Sequence, residues 1–192
     1  MKGKDETAYL WTLPNRLSFI RILFIPIIII FISTQEEGFI LSSCLLFIIA
    51  GITDGLDGFM ARKLSMTSRF GLYLDPIADK LLVSSVLIAL TYYRMVPLWI
   101  TITLISREFV INGLRSFYAM EGTTIYPSIF GKLKTLLQII GISCILFFFS
   151  FPQMTALYRM GVTAGIVILY GALFFSIFSA IQYVVGVFKQ KK

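Results

Sequence analysis

Six blocks of apolar residues, separated by short polar breaks, dominate the chain; they run at approximately 17–33, 38–60, 72–93, 96–118, 128–150 and 155–187. Each approaches or exceeds the ~20 residues that a helix needs to cross the hydrocarbon core of a bilayer. The connections are short, at 34–37, 63–70, 92–96, 119–127 and 151–154. Helices are the economical solution, because a lipid-embedded backbone must satisfy its own hydrogen bonds. The pattern therefore predicts an all-α integral membrane protein, a bundle of six transmembrane helices forming one domain over 1–192. Residues 1–13 precede the first helix. Pro14 stands where a helix-entry proline belongs, and Pro26 sits inside the first block, where a proline kinks a helix.

Composition agrees with this pattern. Hydrophobic residues make up 57% of the 192 positions and charged residues 14%, against about 25% charged in an ordinary soluble domain. The mean hydropathy is +0.86. A soluble core could not hide so much apolar surface, whereas a bilayer removes the need to hide it. The chain has no histidine, which excludes a histidine general base, a Ser-His-Asp triad and His-ligated zinc. Cys44 and Cys144 lie far apart in apolar runs and form neither a CxxC pair nor a disulfide framework; both read as small buried residues. The first apolar run lacks a small-residue cleavage site and is expected to be an uncleaved span.

Charge sets the expected orientation. Six spans put both termini on one side, and of the 17 Lys and Arg residues all but Arg94 and Arg159 fall on that side. By the positive-inside rule both termini are cytoplasmic, and the Lys189–Lys192 tail reads as an anchor at the anionic leaflet. The net charge of +7 is thereby assigned to the membrane, and no nucleic-acid partner is expected.

The chemistry concentrates where the second block ends and the third begins. The second ends Gly51-Ile-Thr-Asp54-Gly55-Leu-Asp57-Gly58-Phe-Met-Ala61-Arg62, and the third opens Gly71-Leu-Tyr-Leu-Asp75-Pro-Ile-Ala-Asp79-Lys80. Asp54 and Asp57 are three apart and Asp75 and Asp79 four apart, so on helices each pair shares a face. A short loop makes the two helices antiparallel neighbours and brings both pairs to the cytoplasmic membrane boundary. Four crowded carboxylates repel one another more strongly in a partly dry site than in water. Protonation offsets that charge in proton relays; divalent cations offset it with better geometry. Oxygen-only ligands suit Mg2+, or Mn2+, and two ions balance four charges. Gly51, Gly55, Gly58 and Ala61 let helices approach closely in membranes and equally let a nucleotide lie against the backbone. Arg62 supplies a cation for a phosphate. Ionisable residues at such depth are as a rule functional.

Asp54, Asp57, Gly58, Ala61, Arg62, Gly71, Asp75 and Asp79 spell D-x-x-D-G-x-x-A-R, eight residues, then G-x-x-x-D-x-x-x-D. This resembles the signature of the CDP-alcohol phosphotransferases at all eight fixed positions, and the six-span plan resembles that family's fold across the whole chain. The resemblance implies that Asp54, Asp57 and Asp75 ligate a two-metal centre. Asp79 would complete it and act as general base on the acceptor hydroxyl. It places Gly58, Ala61, Arg62, Ser68 and Gly71 against the CDP moiety of CDP-diacylglycerol, joined by Asn15 and Ser18 at the polar entry to the first helix. It also implies a homodimer in a bacterial inner membrane.

The acceptor is expected in the second half of the chain. The fourth block contains Ser106-Arg107-Glu108-Phe109 and Asn112-Gly113-Leu114-Arg115, and the fifth opens Gly131-Lys132-Leu133-Lys134-Thr135 and continues to Gln138. Charges inside apolar spans are costly unless they serve a polar cavity. A cluster of Arg107, Arg115, Lys132 and Lys134 would suit an acceptor that itself carries a phosphate, with Glu108 ordering the arginines. The competing reading makes these four topology charges near span ends. The run S-R-E-F-x-x-x-G-L-R followed by G-K-x-K-T-x-x-Q resembles the branch of the family whose acceptor is sn-glycerol 3-phosphate, with phosphatidylglycerophosphate and CMP as products. Phosphatidylglycerol, serine and inositol phosphate are the alternative acceptors. A proton- or metal-coupled transporter is the rival class; it predicts a site near the midplane and repeat symmetry, and neither is visible in the sequence.

Overall fold

Helix is what a chain of long apolar runs must form, and the computed structural model contains six. It describes the backbone of residues 13–64, 69–120 and 129–190, and side chains over 17–53, 77–118, 120 and 129–186. The helices are α1 (Leu13–Thr34), α2 (Glu37–Leu64), α3 (Arg69–Tyr92), α4 (Leu98–Met120), α5 (Ile129–Phe149) and α6 (Ala156–Gln190), with no strand among the described residues. α1 continues through Pro26. α2 runs on past the apolar block to Leu64, and α3 starts before Gly71, so all four aspartates of the pattern lie within helices.

The turns follow local chemistry. After α3, Arg94 adopts a left-handed φ of 59°, its N–H donates to the Thr91 carbonyl at 2.9 Å and the Met95 N–H to the Leu90 carbonyl at 2.8 Å. These are the two bonds of a Schellman C-cap, which satisfies carbonyls the helix leaves open. Gln35, between α1 and α2, takes the same φ of 59°. α6 opens on Thr155, whose Oγ1 accepts from the Tyr158 N–H at 3.2 Å, an N-cap bond.

Among the described residues three helical stretches are long and apolar enough to cross a membrane: Leu17–Thr34, Ile129–Phe149 and Ala156–Gly186, with a shorter apolar stretch over Glu37–Thr53. α4 falls below that mark because Arg107, Glu108 and Arg115 interrupt it. The outward surfaces of α3 and α4 are nonetheless apolar: Ile88 of α3 and Ile102 of α4 are more than half exposed, as are Leu23 of α1, Leu45 of α2 and Phe174 of α6. A soluble monomer does not present apolar side chains on every face; a bilayer accommodates all of them.

α1 packs against both α2 and α3, α2 against α5, and α4 against α3 and α6, while α5 and α6 share the most extensive interface. That interface is built on small residues. A Cβ on Gly161 would meet the Phe148 ring at 1.9 Å, and one on Gly165 would lie 2.5 Å from Ile145 and 3.0 Å from the Gly141 carbonyl. The i, i+4 pair Gly161 and Gly165 is a small-residue crossing of the kind membrane helices use in place of a hydrophobic driving force. The common core joins Ile28 and Ile32, Phe47, Leu82 and Leu90, Ile100 and Leu104, Ile142 and Ile145, and Leu169. It fixes α3, α4 and α5 around the polar residues that follow.

Candidate functional site

α2 and α3 pack against each other and α1 against both, so Asp54 and Asp57 near the end of α2 and Asp75 and Asp79 in about the first three turns of α3 belong to the same end of the bundle. Of the four, Asp79 alone has a described side chain; those of Asp54, Asp57 and Asp75 lie outside the described residues, as do those of Asn15, Gly58, Ala61, Arg62, Ser68 and Gly71. Ser18 is buried on α1. The donor set is all-carboxylate, which fits a hard divalent cation of the magnesium class.

A charged cluster occupies the middle of the bundle. Lys134 of α5, 4% exposed in its side chain, ion-pairs with Oε2 of Glu108 on α4. The same oxygen lies 3.4 Å from Arg107 Nη1. Asn112 Nδ2 donates to the Glu108 backbone carbonyl at 2.6 Å and to Oε1 at 3.4 Å. Arg107 turns its remaining donors to α6: Nε to the Ser176 carbonyl at 2.9 Å and Nη2 to Ser179 Oγ at 2.5 Å. Lys80 of α3 adds its field at Glu108. Arg107 and Lys134 thus share one carboxylate. A charge in so apolar a bundle is tolerated only with such partners.

Two of the four basic residues predicted as an acceptor-phosphate cluster, Arg107 and Lys134, meet through Glu108. The other two stand apart from that contact. Lys132 is exposed, and Arg115, also exposed, lies over the Tyr183 ring of α6 at 5.9 Å, a cation–π distance.

Between α3, α4 and α5 lies a small cavity of about 20 Å3, room for one water-sized group, lined by Asp79, Lys80, Val83, Ser84, Leu87, Leu104, Ile105, Glu108, Thr135 and Gln138. Helix direction grades it. Asp79, Lys80, Glu108 and Thr135 sit toward the end where α3 and α5 begin and α4 finishes; Leu87 and Leu104 lie farthest from it. One space therefore joins a carboxylate of the eight-position pattern to polar residues from the second half of the chain. Sequence reasoning passed over Ser84, Ser176 and Ser179 as site residues. The signal available was their polarity inside otherwise apolar helices, which is weak for serine because it is also a common small packing residue there.

Residues 11–184 match the CDP-alcohol phosphatidyltransferase family. The chain is similar to a CDP-diacylglycerol–glycerol-3-phosphate 3-phosphatidyltransferase of Bacillus subtilis, with 42% identity over 149 residues, 71% of this chain and 77% of the relative. It is also similar to proteins of the same name from Haemophilus influenzae, 35% identical over 90% of this chain and 91% of the relative, and from Rickettsia typhi, 40% identical over 70% and 75%.

Proposed function

The chain belongs to the CDP-alcohol phosphatidyltransferase family, and from that premise we propose that it transfers the phosphatidyl group of CDP-diacylglycerol to sn-glycerol 3-phosphate, giving phosphatidylglycerophosphate and CMP in phospholipid biosynthesis. The observation that carries the reading is that Asp79, last of the eight-position pattern, lines the same cavity as Glu108, Thr135 and Gln138. A nucleotide-side carboxylate and an acceptor-side polar wall then face one space.

In this reading Asp54, Asp57, Asp75 and Asp79 hold Mg2+ or Mn2+, two ions, which when bound supply positive charge to the pyrophosphate and to the departing CMP. Gly58, Ala61, Arg62, Ser68 and Gly71, with Asn15 and Ser18, hold the cytidine diphosphate, and the acyl chains stay in the bilayer beside the exposed apolar faces. Asp79 takes the proton from the acceptor's primary hydroxyl as its oxygen bonds to the phosphorus that carries the diacylglycerol. The pyrophosphate P–O bond breaks and CMP leaves. A carboxylate beside a metal is a weak base, so the step depends on the hydroxyl being held tightly against it. Arg107 and Lys134, joined at Glu108, draw the acceptor phosphate to the cavity mouth, with Arg115 and Lys132 outside it. Glu108 orders Arg107 and Lys134 rather than reacting. The enzyme works as a homodimer in the cell's inner membrane, with both termini and the active site on the cytoplasmic face.

An acceptor assay tests the reading. Purified protein with CDP-diacylglycerol is expected to release CMP with glycerol 3-phosphate. Release with serine, inositol phosphate or phosphatidylglycerol and none with glycerol 3-phosphate would replace the acceptor.

A further inference from the structure

The depth of the cavity between α3, α4 and α5 holds polar groups that neither the charge cluster nor the metal-binding set uses. Gln138 sits one turn beyond Lys134 on α5, is 5% exposed, and lines the cavity. Ser84, on α3, lines it as well, five residues beyond Asp79. Among the described residues nothing hydrogen-bonds the Gln138 amide or the Ser84 hydroxyl. Both groups open onto the cavity, and polar groups so enclosed almost always have a partner, so this pair points to a water-sized polar group that enters the cavity.

The chemistry of that partner can be read from the groups. An amide offers both a donor and an acceptor, and a serine hydroxyl does the same. Neither carries charge, and Leu87 and Leu104 close the space beyond them. A phosphate belongs with Lys80 and Lys134, one turn before Ser84 and Gln138 toward the mouth, and a bare alkyl chain would leave both polar groups unsatisfied. A neutral hydroxyl satisfies them. The cations stand nearer the mouth, on Lys80 and around Glu108, and Asp79, one residue before Lys80 on α3, lies at the mouth with them.

We propose that Gln138, with Ser84, binds the secondary hydroxyl of the acceptor, so that this cavity selects a polyol phosphate over a simple hydroxyalkyl phosphate. The proposal rests on the acceptor reading above and extends it from the phosphate to the carbon skeleton. Gln138 is a specificity-determining residue here; Asp79 alone of the cavity residues takes the proton.

The test compares two acceptors on the full-length protein in detergent with CDP-diacylglycerol: glycerol 3-phosphate, and 3-hydroxypropyl phosphate, which lacks the secondary hydroxyl. The readout is the ratio of kcat/KM for the two, from CMP release. Wild type is expected to favour glycerol 3-phosphate. In Gln138→Met that ratio should fall about tenfold, and in Ser84→Ala about two- to tenfold, the range one neutral hydrogen bond covers. Ser84→Ala keeps the test decisive should Gln138→Met fail to fold. A ratio unchanged in the folded variants, with glycerol 3-phosphate still used, would make the cavity a seat for water and overturn this proposal alone. A wild type that turns over serine or phosphatidylglycerol but not glycerol 3-phosphate would overturn the acceptor reading and this inference with it.

Discussion

Glu108 of α4 holds Lys134 of α5 by an ion pair, and the same carboxylate oxygen reaches Arg107 Nη1 at 3.4 Å. Lys134 is almost wholly enclosed while Glu108 is about a quarter exposed, so the two halves of the pair are not equivalent. Removing the carboxylate strands an enclosed ammonium and frees Arg107 of its counter-charge; removing the ammonium leaves the carboxylate with Arg107.

Glu108→Ala is therefore expected to destabilise the protein by about 3 kcal/mol, the scale of breaking one side of a buried pair. Lys134→Met, which replaces the ammonium by an apolar chain of similar length, should cost less. The double variant should cost less than the sum. Unfolding in a detergent titration measures all three, and additivity would mean the pair carries no coupling.

Arg107 ties α4 to α6 through the Ser176 carbonyl and Ser179 Oγ while facing Glu108. Lysine cannot reproduce that fork. Arg107→Lys and Arg107→Ala should both raise the apparent KM for glycerol 3-phosphate more than that for CDP-diacylglycerol. Equal effects on the two substrates would make the residue a structural tie only.

Asp79→Asn should lower CMP release by roughly 10²–10⁴-fold, the range associated with a lost acid–base group, and Asp75→Asn should abolish metal-dependent release, each with the helical signal and melting midpoint retained. Chelation of divalent ions should abolish wild-type activity and re-addition of Mg2+ or Mn2+ should restore it. Near-normal turnover in Asp75→Asn would remove that residue from the metal-binding set.

The α5–α6 crossing gives a test independent of activity. Gly161→Ala drives a methyl into the Phe148 ring and should cost about 1–3 kcal/mol as overpacking. Gly186, whose added Cβ would have nothing within 4 Å, is the control: Gly186→Ala should be neutral or gain up to about 1 kcal/mol from helix propensity. In the opposite sense, Arg94→Gly relieves a left-handed residue that costs about 1–2 kcal/mol and should raise the unfolding midpoint.

The helices were legible because a bilayer-sized apolar run has few alternatives to helix. The observed ends at Thr34, Tyr92 and Phe149 fall within a residue or so of the block ends. The aspartate pattern was legible because its spacing is local, three and four residues along one helix. The acceptor side was less so. Arg107, Arg115, Lys132 and Lys134 look alike as isolated basic positions, yet Arg107 and Lys134 turn inward to one carboxylate, while Arg115 lies over an aromatic ring and Lys132 faces outward. Sequence spacing gives the face of a helix; it does not say which neighbouring helix that face meets.

By itself the sequence determined the membrane-helical class and the family, both properties of composition and short-range spacing. The tertiary structure alone decided that Gln138 of α5 borders one cavity with Ser84 and Asp79 of α3, two helices separated by α4 along the chain, and that Ser176 and Ser179 receive Arg107. The physical reason is that such contacts depend on how α3, α4, α5 and α6 pack. Apolar blocks read alike on every lipid-facing side, and packing in a membrane is chosen by small residues such as Gly161 and Gly165 rather than by hydrophobicity.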